Sequence, residues 1–501
     1  MMLRNLVANY FGDLWLMLLQ FALIPICLHA MGAEAFGMVA LHTTLTALAG
    51  LTNLGITPAL NRETSRLTGL ADGPPRIKSF VFSVGAFYLV LSAVTAAVAL
   101  LFLVGPLVRW VNPVTITTAL AQQVVTLMFI QIGLQLLVNF LISVLQGLQL
   151  HLRVNAIVSA AMTLRLGGAA FVLLFWQPTL IAFFSWVIFA TVIQLFVLSF
   201  AAYLALPPGQ LRLGFSHLQS IWRYASGMTL TVLFSLLLTQ IDRVVLSRFL
   251  TLSDFGLYAL AANFAAAPTR PASPLSRTFL PRLTQLQAQG KLEDVATLYH
   301  LGCQIASLVI IPLTAIFAIF PFDVLTTLWI KPPEAEAAAP LLTFLSIGLA
   351  GLGLMSLPYC LTWAFGWVRF GLYQNMAGCL VFTPVMIYAA YHHGALGSAM
   401  AWAALSVSFV AISPWFIHQK ILPASFRRWY LADVLPPLAI SALIGFLLKL
   451  VLPTGGSWLQ DILCLGFAYG TLFGLNLLAL NQVRQKVMGI YYTRIHHREK
   501  R

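Results

Sequence analysis

Stretches of about 20 apolar residues follow one another along nearly the whole chain, and this leaves little choice of architecture. A helix rising 1.5 Å per residue needs roughly that length to cross a hydrocarbon core about 30 Å thick. About fourteen such runs can be drawn, near residues 6–29, 38–60, 80–104, 118–145, 154–175, 179–204, 223–247, 255–276, 299–320, 340–365, 370–391, 395–418, 433–452 and 459–480. They are continuous, not alternating, so they read as helices and not as barrel strands, and a helix satisfies its own backbone groups in lipid. Of the 501 residues 60% are hydrophobic and 8% charged, against roughly a half and a quarter in soluble domains. No polar linker or charged domain interrupts the pattern. The expectation is one all-α polytopic membrane protein of about 14 transmembrane helices.

The run from Leu6 to His29 has no small-residue cleavage site behind a short apolar core and reads as a retained first span. An even number of spans puts both termini on one side. The tail RIHHREKR, Arg494 to Arg501, marks that side as cytoplasmic, and alternate loops carry about 21 Lys and Arg there against about 4 on the other side. The net charge of +14 is thus mostly topology and contact with anionic lipid headgroups, with no need of a nucleic-acid partner. The cysteines Cys27, Cys303, Cys360, Cys379 and Cys464 lie in apolar spans without metal-clip spacing and read as structural thiols. His392 and His393 adjoin on a short outer turn, which suits an interfacial position better than metal ligation. No metal, cofactor or catalytic group is expected.

A weak internal repeat runs through the chain. Tyr10 and Gly12 lead into an apolar span, then AFGMVAL (Ala35 to Leu41), then ALNRETSRL (Ala59 to Leu67). Tyr224 and Gly227 lead into another, then DFGLYAL (Asp254 to Leu260), then PLSRTFLPRL (Pro274 to Leu283), with Phe36 and Phe255 lying 219 positions apart. Six spans separate the copies, which predicts two six-helix lobes related by an axis along the membrane normal, followed by two added helices. The corresponding segments are 1–210, 211–425 and 426–501. Most loops are short. The longest outer one, Pro321 to Ala339, reads as a solvated connector carrying Asp323, Lys331, Glu334 and Glu336, and nothing in it resembles the loop-borne constellation of a membrane enzyme.

Charged residues within or beside the spans need an explanation, since an Arg or Asp at the bilayer centre costs roughly 2.5–3.5 kcal/mol. Asp13, Arg165, Asp242, Arg243 and Arg270 are the clearest, with Arg62, Arg66, Arg248 and Arg277 at the edges. Arg270 stands among Pro268, Pro271 and Pro274, about fifteen residues or some 22 Å into the eighth span. Each proline removes an amide donor and frees a carbonyl, those of Phe264, Ala267 and Arg270. The broken backbone therefore faces protein or a watery cavity, with Arg270 presented to something anionic in the interior, or the helix ends near Pro268 and Arg270 lies in a cytoplasmic loop. Asp242 is either a gate carboxylate or the partner of a nearby cation such as Arg243. Asp13 is either a proton carrier or an arginine's partner. Arg62 and Arg66 share one helix face, with Arg277 and Arg282 as repeat counterparts. Such a ring of guanidiniums would grip phosphate by its forks, or simply anchor the inner helix ends.

The order of span, FG turn, span and NRETSRL, followed by QIDRVVLSRFLTLSDFGLYAL, resembles the Wzx-like oligosaccharide flippases of envelope polysaccharide synthesis, relatives of multidrug extrusion transporters and lipid II flippases. The specific motifs occupy residues 9–69 and 222–290. The resemblance implies two lobes around a cationic cavity, in a multi-pass protein of a prokaryotic inner membrane. It further implies transfer of an undecaprenyl-diphosphate-linked oligosaccharide to the periplasmic leaflet by alternating access, by a monomer that associates with glycan polymerase machinery. The diphosphate-binding role falls on Arg270, Arg62, Arg277 and Arg66, and coupling or gating, with H+ or Na+ as the ion, on Asp13 and Asp242. A multidrug antiporter and a lipid II flippase are the rival readings. The excess of interior arginines over carboxylates favours an anionic cargo.

Overall fold

The computed structural model describes residues 2–53, 56–68, 74–111, 113–207, 214, 233–367, 369–453 and 455–485. Among them the chain is helical with no strand, and it divides into two compact units, Met1–Gly256 and Leu257–Arg501. Unit 1 comprises α1 (Met2–Met31), α2 (Ala33–Ala49), α3 (Ile56–Thr68), α4 (Pro74–Val98), α5 (Val104–Trp110), α6 (Thr118–Gly147), α7 (His151–Phe171), α8 (Leu180–Ala205), α9 (233–249) and the start of α10 (Leu252–Ala265). Unit 2 continues with α11 (Ala272–Ala288), α12 (Leu292–Ile319), α13 (Pro321–Thr327), α14 (Pro332–Leu354), α15 (Ser356–Ala364), α16 (Arg369–Ile421), α17 (Ser425–Arg428), α18 (Leu435–Val451) and α19 (Trp458–Ala479).

Local chemistry sets the helix ends. Thr117, Thr179 and Ser457 stand in extended backbone just before α6, α8 and α19, and each side-chain oxygen accepts from the amide three residues on. Such caps satisfy one of the orphan donors of a helix start and are worth about 1 kcal/mol each. Gly32, at φ 87°, makes the turn from α1 to α2 in a region that side chains rarely enter.

Nine helical stretches among the described residues are long and apolar enough to cross a bilayer. The 53-residue run α16 would be about 80 Å long if straight, far beyond a bilayer. It turns at Gly394, where φ is 58° and ψ −139°, and the Phe382 and Trp402 rings approach to 5.5 Å, so it is two crossings folded back on one another. The expected spans 370–391 and 395–418 match its two halves. His392 and His393 lie exposed at this turn.

Two expectations need correction. The single span at 38–60 is interrupted: α2 ends at Ala49, a short 3-10 turn covers Gly50–Asn53, and α3 runs from Ile56, a break in keeping with Gly50 and Asn53. The connector Pro321–Ala339 is not a solvated loop. It supplies α13 and the first two turns of α14, with Ala335, Ala338 and Ala339 buried. Prolines at the first helical positions of α13 and α14 are compatible with helix starts, because those positions need no amide donor.

In each unit one helix is the hub. Half of the most apolar window of α6 is buried, and 67% of that of α12, against 17% for the α4 span and for α19. The exposed large residues, such as Phe189, Phe196 and Phe200 along α8, form faces suited to lipid. Unit 2 packs α12 against α14, α18 and α19, with Tyr299, Cys303, Ile310, Leu357 and Trp429 in its core.

Candidate anion site and polar centres

Arg165 lies fourteen positions after His151, the first residue of α7, about 21 Å along the helix and close to mid-span. Its two terminal nitrogens donate to the side-chain oxygens of Gln135 (3.3 Å) and Gln194 (2.7 Å). Its Nε is buried without a hydrogen-bond partner, and no carboxylate pairs with it among the described residues. A guanidinium carries five donor hydrogens in a planar fork. Among the described residues its hydrogen-bond partners are neutral amide oxygens, which hold its position without neutralising it.

The amides form a row. Gln131, Gln135 and Asn139 recur every fourth residue of α6 and therefore share one face. Gln131 donates to Gln135 at 3.4 Å, Gln135 donates to Asn139 at 3.2 Å, and the His42 ring shares a 2.8 Å hydrogen bond with the Gln131 oxygen. Trp15 donates to Thr163, two residues from Arg165 (3.1 Å). Polar side chains inside a membrane span are costly unless partnered and mark functional pathways. Sequence reasoning singled out Arg165 as an interior charge but missed this row. Its legible signal was one carboxamide per helical turn in the otherwise apolar FIQIGLQLLVNF.

The predicted site residues scatter. The helix carrying the triple proline does break: α10 ends at Ala265, a 3-10 turn spans Ala267–Thr269, and α11 restarts at Ala272. Arg270 is exposed at the break, and Arg277 is exposed on α11. Contrary to expectation, the Ala267 carbonyl is not left free, because the Arg270 amide donates to it at 3.2 Å; the 3-10 turn closes one residue earlier than an α-helix. Arg66 spends its fork on Glu63, at 2.9 and 2.5 Å. Asp242 is buried, at 6% exposure, in α9. Arg62 and Asp13 lie in α3 and α1, and their side chains fall outside the described residues.

A second polar centre lies in unit 2, and sequence reasoning missed it. His300 Nδ1 meets Asp433 Oδ2 at 2.5 Å with both side chains essentially inaccessible. Gln304 donates to the other Asp433 oxygen (3.0 Å) and accepts from the Gln482 amide (3.0 Å). One turn of α12 is thereby fastened to the π-helical turn Trp429–Val434 that precedes α18 and to the backbone that follows α19. At the opposite end of α12, Lys449 of α18 reaches Asp323 at 2.6 Å.

A family model described as "Polysaccharide biosynthesis protein" matches residues 2–287. The chain belongs to this family. A Shigella flexneri protein provisionally named an O-antigen transporter is 20% identical over 401 residues, covering 80% of this chain and 94% of its own. Among solved structures, the lipid II flippase MurJ in an inward closed conformation superposes with a TM-score of 0.72 at 13% identity, over 95% of this chain and 99% of that one. An inward-facing multidrug resistance MATE family transporter of the MOP superfamily gives 0.65 at 13% identity, over 82% and 96%. The fold is that of these membrane transporters.

Proposed function

We propose that the chain carries an undecaprenyl-diphosphate-linked oligosaccharide from the cytoplasmic to the periplasmic leaflet of a prokaryotic inner membrane by alternating access, for envelope or exopolysaccharide synthesis. The observation that carries this reading is Arg165, a mid-span guanidinium held by neutral amides with no carboxylate pairing with it among the described residues. A sugar diphosphate cannot cross lipid unaided, since each unpartnered polar group costs about 4–8 kcal/mol on transfer to a hydrocarbon. A fixed guanidinium offsets that cost for a phosphate, and the row from His42 to Asn139 offers exchangeable hydrogen bonds to sugar hydroxyls. Membership of a polysaccharide biosynthesis family supports a sugar cargo.

Arg270 and Arg277 in unit 2, and Arg62 in unit 1, are proposed as phosphate contacts. Arg66 would join them only after releasing Glu63. Asp13 and Asp242 are the candidate coupling or gating groups, with H+ or Na+ as the ion. The protein acts in this reading as a monomer alongside the glycan polymerase machinery. A lipid II flippase shares the diphosphate chemistry, and the likeness to MurJ keeps it as the second reading. The excess of interior arginines over carboxylates counts against a carrier of organic cations.

The test is surface glycan display in cells that depend on this chain. Arg165→Ala should abolish display while the protein remains inserted and monodisperse, and Arg165→Lys should restore part of it, because a point charge replaces a fork. Normal display in the alanine variant removes Arg165 from the pathway.

A further inference from the structure

A cleft of about 560 Å³ opens in unit 2 where α11 ends, α12 begins and the chain emerges from α19. Its walls include Arg282, Asp294, Thr297 and Gln482, and its floor is apolar, with Leu286 and Leu301. Asp294 stands in the first turn of the long apolar helix α12, and Gln482 stands three residues beyond the end of α19. Both therefore mark the same mouth of the membrane, at the level of lipid headgroups.

The charges in this cleft are not used on one another. Arg282 and Asp294 line it together without forming an ion pair, and among the described residues the Arg282 side chain donates only from Nη1 to the neutral Gln285 (2.6 Å). The side-chain oxygen of Gln482 is buried without a partner, although its backbone amide is engaged by Gln304. One cation, one anion, one unmatched carbonyl acceptor and a leucine floor call for a ligand with a phosphate, an N–H-bearing ammonium and hydrocarbon. A guanidinium binds phosphate oxygens, while an ammonium with three donors satisfies a carboxylate and an amide oxygen together.

We propose that this cleft binds the headgroup of a phosphatidylethanolamine-type lipid, with its phosphate on Arg282, its ammonium on Asp294 and Gln482, and the start of its acyl chains on the leucines. This site is separate from the transport site proposed above and does not depend on it. Occupancy reaches the buried polar centre through one path: the Gln482 amide holds Gln304, Gln304 holds Asp433, and Asp433 holds His300. A bound headgroup thereby stabilises the docking of the last two helices on α12.

The experiment is a lipid titration of the delipidated full-length protein in detergent, read as the midpoint of thermal aggregation and as retained lipid in native mass spectrometry. The probes are dioleoyl-phosphatidylethanolamine, the matching choline and glycerol lipids, and soluble phosphoethanolamine. The ethanolamine lipid should stabilise most. The choline lipid should stabilise less, because its quaternary nitrogen has no hydrogen for Gln482. Asp294→Asn should weaken ethanolamine lipid binding about tenfold or more and leave the glycerol lipid unchanged, whereas Arg282→Gln should weaken all three. Both residues are exposed, so these variants keep the fold, and an unchanged elution profile checks it. Equal stabilisation of wild type and Asp294→Asn by the ethanolamine lipid overturns the site. Soluble phosphoethanolamine matching the lipid at equal concentration overturns the assignment to a lipid.

Discussion

Removing the carboxylate of Asp433 should unfasten the last two helices from α12, and the size of the effect follows from burial. The His300 and Asp433 side chains are 1% and 0% exposed, so neither falls back on solvent when its partner is lost. Breaking such a pair costs about 3–5 kcal/mol, because the remaining polar group stays buried without compensation. Asp433→Ala strands both His300 Nδ1 and the Gln304 amide, which now donates to Asp433 at 3.0 Å. Asp433→Asn keeps an acceptor for Gln304 and should cost less. The assay is heating in detergent followed by size-exclusion chromatography of the surviving monodisperse fraction, for Asp433→Ala, His300→Ala and the double variant. Because the two residues share one interaction, the double variant should lose much less than the sum of the single losses. Additive losses would refute the argument that the pair acts as a unit.

Three smaller predictions follow from local geometry. Partial burial raises the Glu34 carboxyl, but hydrogen bonds from the Thr115 hydroxyl and from the amides of Val114, Thr115 and Ile116 outweigh it and hold it below its ordinary value. A carboxyl depressed in the folded state stabilises above its unfolded pKa, so this contribution should vanish as pH falls through the folded value; the acid end of a pH–melting curve should be flatter in Glu34→Gln. At Gly256 an added Cβ would lie 2.7 Å from the Ala33 carbonyl oxygen and 3.0 Å from the Gly37 nitrogen. Gly256→Ala should therefore lower the melting midpoint, while Gly474→Ala on α19, with open space around it, should not. Lys449→Met should destabilise more than Asp323→Asn, because it leaves the nearly buried Asp323 carboxylate without its cation.

The apolar runs were enough to find the nine helical stretches that are long and apolar enough to cross a bilayer among the described residues, because lipid leaves a backbone few options and a 20-residue apolar stretch is a strong local signal. Where the reading slipped, a short local device overrode the apolar average: the 3-10 turn Gly50–Asn53 interrupts the second run, and the prolines that open α13 and α14 start helices that the charges of Pro321–Ala339 had disguised as a loop. The polar centres were harder to see. His300 and Asp433 are 133 residues apart in sequence, so only folding brings an unremarkable histidine onto an unremarkable aspartate. Arg165 was visible as a lone interior charge, but its meaning depends on Gln135 and Gln194 arriving from two other helices. The edge arginines show the converse case: Arg66, chosen for a fork that suits phosphate, already has that fork on Glu63 three residues away.

The most direct measurement is transbilayer movement of a fluorescent polyprenyl-diphosphate oligosaccharide in liposomes containing the purified protein, for wild type, Arg165→Lys and Arg165→Ala. Loss of a charged hydrogen-bond partner worth about 1.5–3 kcal/mol should slow the alanine variant about 10- to 100-fold, with lysine between. Alanine moving the lipid at the wild-type rate would contradict the assignment of Arg165 as the cargo's phosphate contact.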